Sequence, residues 1–170
     1  MSFKLFRGRV IHAKSFNSLE LIDNALLSVH IKTGQIEFLK KSRESLTSEE
    51  ADIRRYSQIV DLTSNQFIIP GFVDTHAHAP QYVNAGTGLD LPLLEWLNTY
   101  TFPKEAKFSS IDYAKKAYTH SIKKHLKNGT TTCCYFATIH RDSSVLLAKI
   151  INKLGQRAIV GKVCCKKIFF

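Results

Sequence analysis

The sequence predicts a mixed α/β chain in two parts. Residues 1–69 read as part of a small β-sandwich, and residues 70–170 as parallel strands alternating with helices. Three observations predict this. Residues 3–14 and 25–40 alternate apolar and polar side chains with the period of two that a half-buried strand needs. From Phe72 onward, short apolar runs at 72–78, 130–139 and 158–164 are separated by segments with helical spacing. Strand, helix, strand, helix, strand in that order implies parallel pairing through right-handed crossovers. The pattern fits an open doubly wound sheet or the opening of a (β/α)8 barrel. Both folds place their active sites at the C-terminal ends of parallel strands.

Each element has a local reason. Residues 28–31 and 36–39 form a hairpin, with Gly34 supplying the positive φ of the turn. Residues 41–57 are polar and read as a short helix or surface loop, and residues 59–62 and 66–69 return to strand composition. After the strand at 72–78, Gly86 and Gly88 mark a loop. Residues 91–97 read as an apolar helical run, which Pro103 is expected to break. Ser110 or Asp112 starts a long helix to about Leu126, with Ala114, Ala117, Tyr118, Ile122 and Leu126 on one buried face. Asn128-Gly129 closes it, and Gly155 closes a second helix over 145–154.

Composition sets bounds on function. With 170 residues and 44% apolar side chains the chain can build a real core. No apolar run approaches the ~20 residues needed to cross a bilayer. The first residues lack the apolar stretch of a signal peptide and the last are not a prenylation box, so a cytoplasmic protein without a membrane partner is expected. Cys133-Cys134 and Cys164-Cys165 are adjacent pairs, whose side chains face opposite sides of a strand, so they read as reduced thiols. The net charge of +10 is uneven, −1 over residues 1–100 and +11 over 101–170. Lys115, Lys116, Lys123, Lys124 and Lys127 have the spacing of one solvated helix face, and no aromatic-rich motif accompanies them. Nucleic-acid binding is therefore not expected. There is no glycine-rich phosphate cradle either.

The chemistry is concentrated in Pro70-Gly71-Phe72-Val73-Asp74-Thr75-His76-Ala77-His78. On a strand, His76 and His78 point the same way, with Asp74 and Phe72 in register behind them. Two neutral imidazoles at a strand end can grip one divalent ion at ~2.0–2.1 Å each. Imidazole suits zinc or ferrous iron, and the bound ion would lower the pKa of water to ~7, supplying a hydroxide nucleophile.

That strand resembles the first-strand signature of the amidohydrolase superfamily, which implies a TIM-like barrel. The blocks His78-Ala79-Pro80-Gln81, Leu91-Pro92-Leu93-Leu94-Glu95-Trp96-Leu97, Tyr100-Thr101-Phe102-Pro103-Lys104-Glu105, Asn128-Gly129-Thr130-Thr131-Thr132 and Tyr135-Phe136-Ala137-Thr138-Ile139-His140 are similar to its guanine-deaminase branch. The resemblance implies hydrolysis of guanine to xanthine and ammonia, a step of purine catabolism. His76 and His78 would be two zinc ligands, with iron the lesser alternative, and Gln81 and His78 would meet the substrate. It also implies a homodimer for an intact protein. Glu95, Trp96 and Glu105 match family positions read as helix and loop packing. His140 reads as a surface residue at the barrel mouth, with a role behind the site as the alternative, and His12, His30, His120 and His125 show no partner pattern.

By the same resemblance the remaining ligands and the catalytic glutamate lie on later strands, so no catalytic residue is expected within this chain. The expectation is a truncated barrel of three strands and two to three helices that is inactive alone. The alternative is a non-enzymatic fragment that joins a full-length homologue or meets an anionic partner through its basic second half.

Overall fold

The computed structural model describes residues 2–41 and 45–164. Two units divide at residues 70 and 71. In the first, β1 (Phe3–Ser15) and β2 (Ser18–His30) pair antiparallel through a tight turn at residues 16–17. β3 (Ile36–Lys40) continues the sheet antiparallel to β2, across the expected hairpin in which Gly34 takes φ 71°. Short helix α1 (Ser48–Ala51) opens with a capping box between Thr47 and Glu50. β4 (Tyr56–Asp61) and β5 (Phe67–Ile68) then both run parallel to β1. The described residues of this unit form one five-stranded sheet, and the second layer that a sandwich needs is not among them. Leu5, Leu26, Phe38 and Tyr56 make one apolar cluster and Val10, Ile22 and Ala25 another. Arg55 holds the first cluster's rim, its guanidinium 4.6 Å over Phe3 and bonded to Glu37, which also accepts from the buried Ser28 hydroxyl at 2.7 Å.

The second unit is the predicted alternation. β6 (Phe72–His78), β7 (Thr130–Phe136) and β8 (Arg157–Gly161) form a parallel sheet in the order β6-β7-β8. A 3-10 turn over Ala79–Asn84 follows β6. Then α2 (Leu93–Trp96) passes through a π-helical turn (Leu97–Thr101) into α3 (Phe102–Ala106). Pro103 therefore does not break the chain. It lacks the N–H of a normal helical turn, and its ring would strike the carbonyl four residues back; the wider turn before it relieves both demands.

α4 (Ile111–Lys127) is capped by Ser110, whose hydroxyl accepts from the Tyr113 N–H, and ends at Asn128. Its buried face is Ala114, Ala117, Tyr118, Ser121 and Ile122, with Leu126 only half-buried. Its five lysines are exposed, as their spacing implies. α5 (Arg141–Leu154) starts four residues before the sequence-based expectation, and β7 stops three residues short of it. Both differences come from residues 137–140, where Thr138 and the His140 carbonyl take hydrogen bonds from Ser143 and Ser144 that organise the helix start. The two long helices pack on each other and on the sheet around Phe108, Tyr118, Ile122, Tyr135 and Leu147, all fully buried. Buried Gln156 joins strand ends, accepting from the Tyr135 hydroxyl at 3.1 Å and donating to the Thr130 carbonyl at 2.8 Å. Among the described residues no helix is long and apolar enough to cross a membrane. Cys133 is buried, which pushes its thiol up to about 11, and Cys133, Cys134 and Cys164 are free; Cys165 lies outside the described residues.

β6 meets β7 at a point of close approach. The Phe72 N–H donates to the Gly129 carbonyl at 2.8 Å, and a side chain on Gly71 would overlap that of Thr131, with Cβ atoms 2.6 Å apart. Gly71→Ala is expected to cost about 1–3 kcal/mol of the second unit's stability, the usual range for overpacking. A urea midpoint unchanged from wild type would refute this.

Candidate metal centre

The site begins at the C-terminal end of β6. The ladder to β7 starts at Phe72↔Thr130, skips one β7 residue to Val73↔Thr132, reaches Asp74↔Cys133, and resumes at Ala77↔Tyr135 and His78↔Phe136. Between Asp74 and Ala77 β6 carries one residue more than β7, which makes a β-bulge. The bulge draws the His76 backbone out of the ladder, and Asp74 Oδ1 accepts from its N–H at 3.0 Å. The simple alternation that set Asp74 behind the imidazoles is therefore corrected: its carboxylate serves the strand's own backbone.

Past the bulge the two rings converge. His76 Nε2 and His78 Nε2 lie 3.2 Å apart, with ring centroids at 5.2 Å. Phe136, opposite His78 in the ladder, forms the wall behind them. Its ring stacks on His78 at 4.9 Å and 15° and leans on His76 at 4.5 Å. Two nitrogens held at ~2.0–2.1 Å on one tetrahedral ion stand about 3.3–3.4 Å apart. The pair therefore fits a single divalent ion. Burial, with a smaller contribution from His76, holds His78 below the ordinary imidazole range and so favours the neutral, ligating form. Among the described residues no group of three or more His, Cys, Asp or Glu side chains is gathered for a metal.

Gln81 sits on the 3-10 turn that follows His78, where its Nε2 donates to Glu105 Oε1 at 3.4 Å. Burial pushes the Glu105 carboxyl up, and the Gln81 N–H pulls it partly back. Glu105, expected as a packing residue, makes its polar contact with Gln81. Trp96 does pack, its indole N–H donating to the Thr87 carbonyl at 2.7 Å, and Glu95 is exposed.

His140 is half-buried with its Nε2 shielded, not a surface residue. The other histidines pair locally: His12 with Glu20, His30 with Thr33, and His120 and His125 with helix carbonyls four residues back. The sequence alone did not bring Phe136 against the two histidines or Glu105 against Gln81. Finding Phe136 required the register of β6 on β7, and finding Glu105 required the phase of α3.

Residues 67–167 match the amidohydrolase family model. The chain is 48% identical over 170 residues to guanine deaminase of Dictyostelium discoideum, covering 95% of this chain and 37% of that protein. It is 49% identical over 160 residues to the Mus musculus enzyme of the same name, covering 94% and 35%. The fold is similar to a crystal structure of guanine deaminase from C. acetobutylicum with guanine bound in the active site. The TM-score is 0.80 at 40% identity, over 96% of this chain and 38% of that one. The chain thus spans little more than a third of the length of the curated relatives it matches.

The lowered pKa of His78 has a signed consequence for stability. Folded His78 binds fewer protons than the unfolded residue, whose pKa is about 6.5. This contribution is level above that pH and turns against folding as pH falls below it. The expected outcome is that His78→Gln loses less stability than wild type between pH 7 and pH 5, read from urea midpoints; parallel curves would contradict it.

Proposed function

The chain belongs to the amidohydrolase family, and on that premise we propose that its second unit is the opening portion of a guanine-deaminating site. The reaction is hydrolytic loss of the amino group of guanine, giving xanthine and ammonia. The observation that carries this reading is the convergence of His76 and His78 at the mouth of a parallel strand, 3.2 Å apart and three residues before Gln81. The guanine held by the C. acetobutylicum structure, 40% identical to this chain, supports the substrate.

His76 and His78 would hold the metal, and zinc fits an all-imidazole pair best. When bound, a divalent ion supplies the nucleophile by acidifying water. The chain's own residues do the rest. Asp74 holds the bulge that aims His76, and Phe136 presents an apolar ring that keeps solvent from the far side of both imidazoles. Gln81 offers its side-chain amide to the edge of the base.

The two candidate ligands among the described residues are one fewer than the three protein ligands of a catalytic zinc site. The chain by itself is therefore a metal half-site, and turnover requires ligands from outside it. Zinc at 100-fold above its Kd is expected to stabilise the chain by about 2.7 kcal/mol. His76→Ala and His78→Ala should each abolish that rise in thermal midpoint. Guanine mixed with the zinc-loaded chain should yield no xanthine. Zinc-dependent turnover by this chain would defeat the half-site reading, and zinc stabilisation surviving both substitutions would defeat the metal assignment.

A further inference from the structure

The contact between Gln81 and Glu105 does more than fill space. A glutamine can present either end of its amide to a ligand, because its oxygen and nitrogen are nearly the same size. An ionised carboxylate has only lone pairs to offer, so it takes the NH2 end and leaves the carbonyl oxygen facing elsewhere. Gln81 Nε2 donates to Glu105 Oε1 at 3.4 Å, which selects one of the two orientations.

The delivery of Glu105 to that point is specific. α3 packs on the turn carrying Gln81, and the π turn over Leu97–Thr101 adds one residue ahead of it. One residue is about 100° of helical phase, so the widened turn decides which side of α3 faces Gln81. The Gln81 N–H favours the charged form of the carboxyl against the burial that raises it. Tyr118 of α4 is a titratable group that also faces Glu105, and its buried hydroxyl has no hydrogen-bond partner among the described residues.

We propose that Glu105 is a positioning residue that fixes the Gln81 amide with Oε1 left for the ligand. The site thereby selects a heterocycle edge that offers an N–H over one that offers a bare ring nitrogen. Guanine carries the N–H at ring position 1, where adenine carries a lone pair. The selectivity rests on the guanine reading of Gln81 above; the amide orientation does not.

Glu105→Gln keeps the shape but can donate as well as accept, so either orientation of Gln81 becomes available. The first readout is the Gln81 side-chain amide signal by NMR, assigned through its loss in Gln81→Ala. It is expected to shift in the Glu105→Gln chain, and an unchanged signal overturns the proposal. In the wild-type chain, with no variant required, the same signal should follow Glu105 as pH falls through the carboxylate range; a flat profile also overturns it. The second readout is equilibrium dialysis with guanine and adenine as probes. The wild-type preference for guanine should narrow about tenfold in Glu105→Gln, equivalent to about 1.4 kcal/mol, and an unchanged ratio removes the selectivity role. If wild type binds neither base while the amide signal still responds, the guanine reading fails and the positioning pair stands.

Discussion

One extra residue in β6 is the constraint on which the site depends. A parallel ladder spaces its partners evenly, and a strand without the bulge would carry His76 and His78 in plain alternation, with the His76 N–H tied to the sheet. The bulge between Asp74 and Ala77 releases that N–H, and the Asp74 carboxylate replaces the lost partner. The cost of an orphaned backbone donor is thus offset locally, and the two imidazoles are brought to a separation that one ion can bridge.

Neighbouring features are arranged around that strand end. Gly71 allows β6 to approach Thr131 closely at the far end of the ladder. The resulting register sets Phe136 opposite His78, so an apolar ring lies against both ligand candidates. The polar counterpart comes from α3, where Glu105 holds the side chain that follows the histidines by three residues. The candidate metal ligands, the apolar wall and the group that orients the amide therefore come from three different segments. The sheet register places the first two and helical phase places the third.

The elements of the second unit were legible because each has a one-dimensional signal. Ser110, Asn128-Gly129 and Gly155 bound the helices by capping chemistry, and alternating apolar runs mark the strands. The hairpin at Gly34 was legible for the same reason. The histidine pair itself was visible as a spacing. What alternation could not show was the bulge, because inserting one residue in a strand leaves composition unchanged and alters only the pairing partner. Pro103 misled for a related reason: its steric demand on the preceding turn is met here by widening the helix instead of ending it. In the first unit, alternation predicted half-buried strands correctly but does not say whether a second layer covers them, and the described residues form one sheet.

The π turn before Pro103 also separates two kinds of tolerance. Of its five residues Thr101 is buried, Leu97 and Tyr100 are half-buried, and Asn98 and Thr99 are exposed, so the side chains of the last two can vary with little effect on packing. The number of residues in the turn cannot vary in the same way. Losing one position would leave α3 intact as a helix and turn its faces by about 100°, carrying Glu105 away from Gln81 while the fold persisted. The segment thus acts as a counter: it stores the alignment of a distant amide as chain length, a quantity that substitutions leave untouched and a single deletion erases.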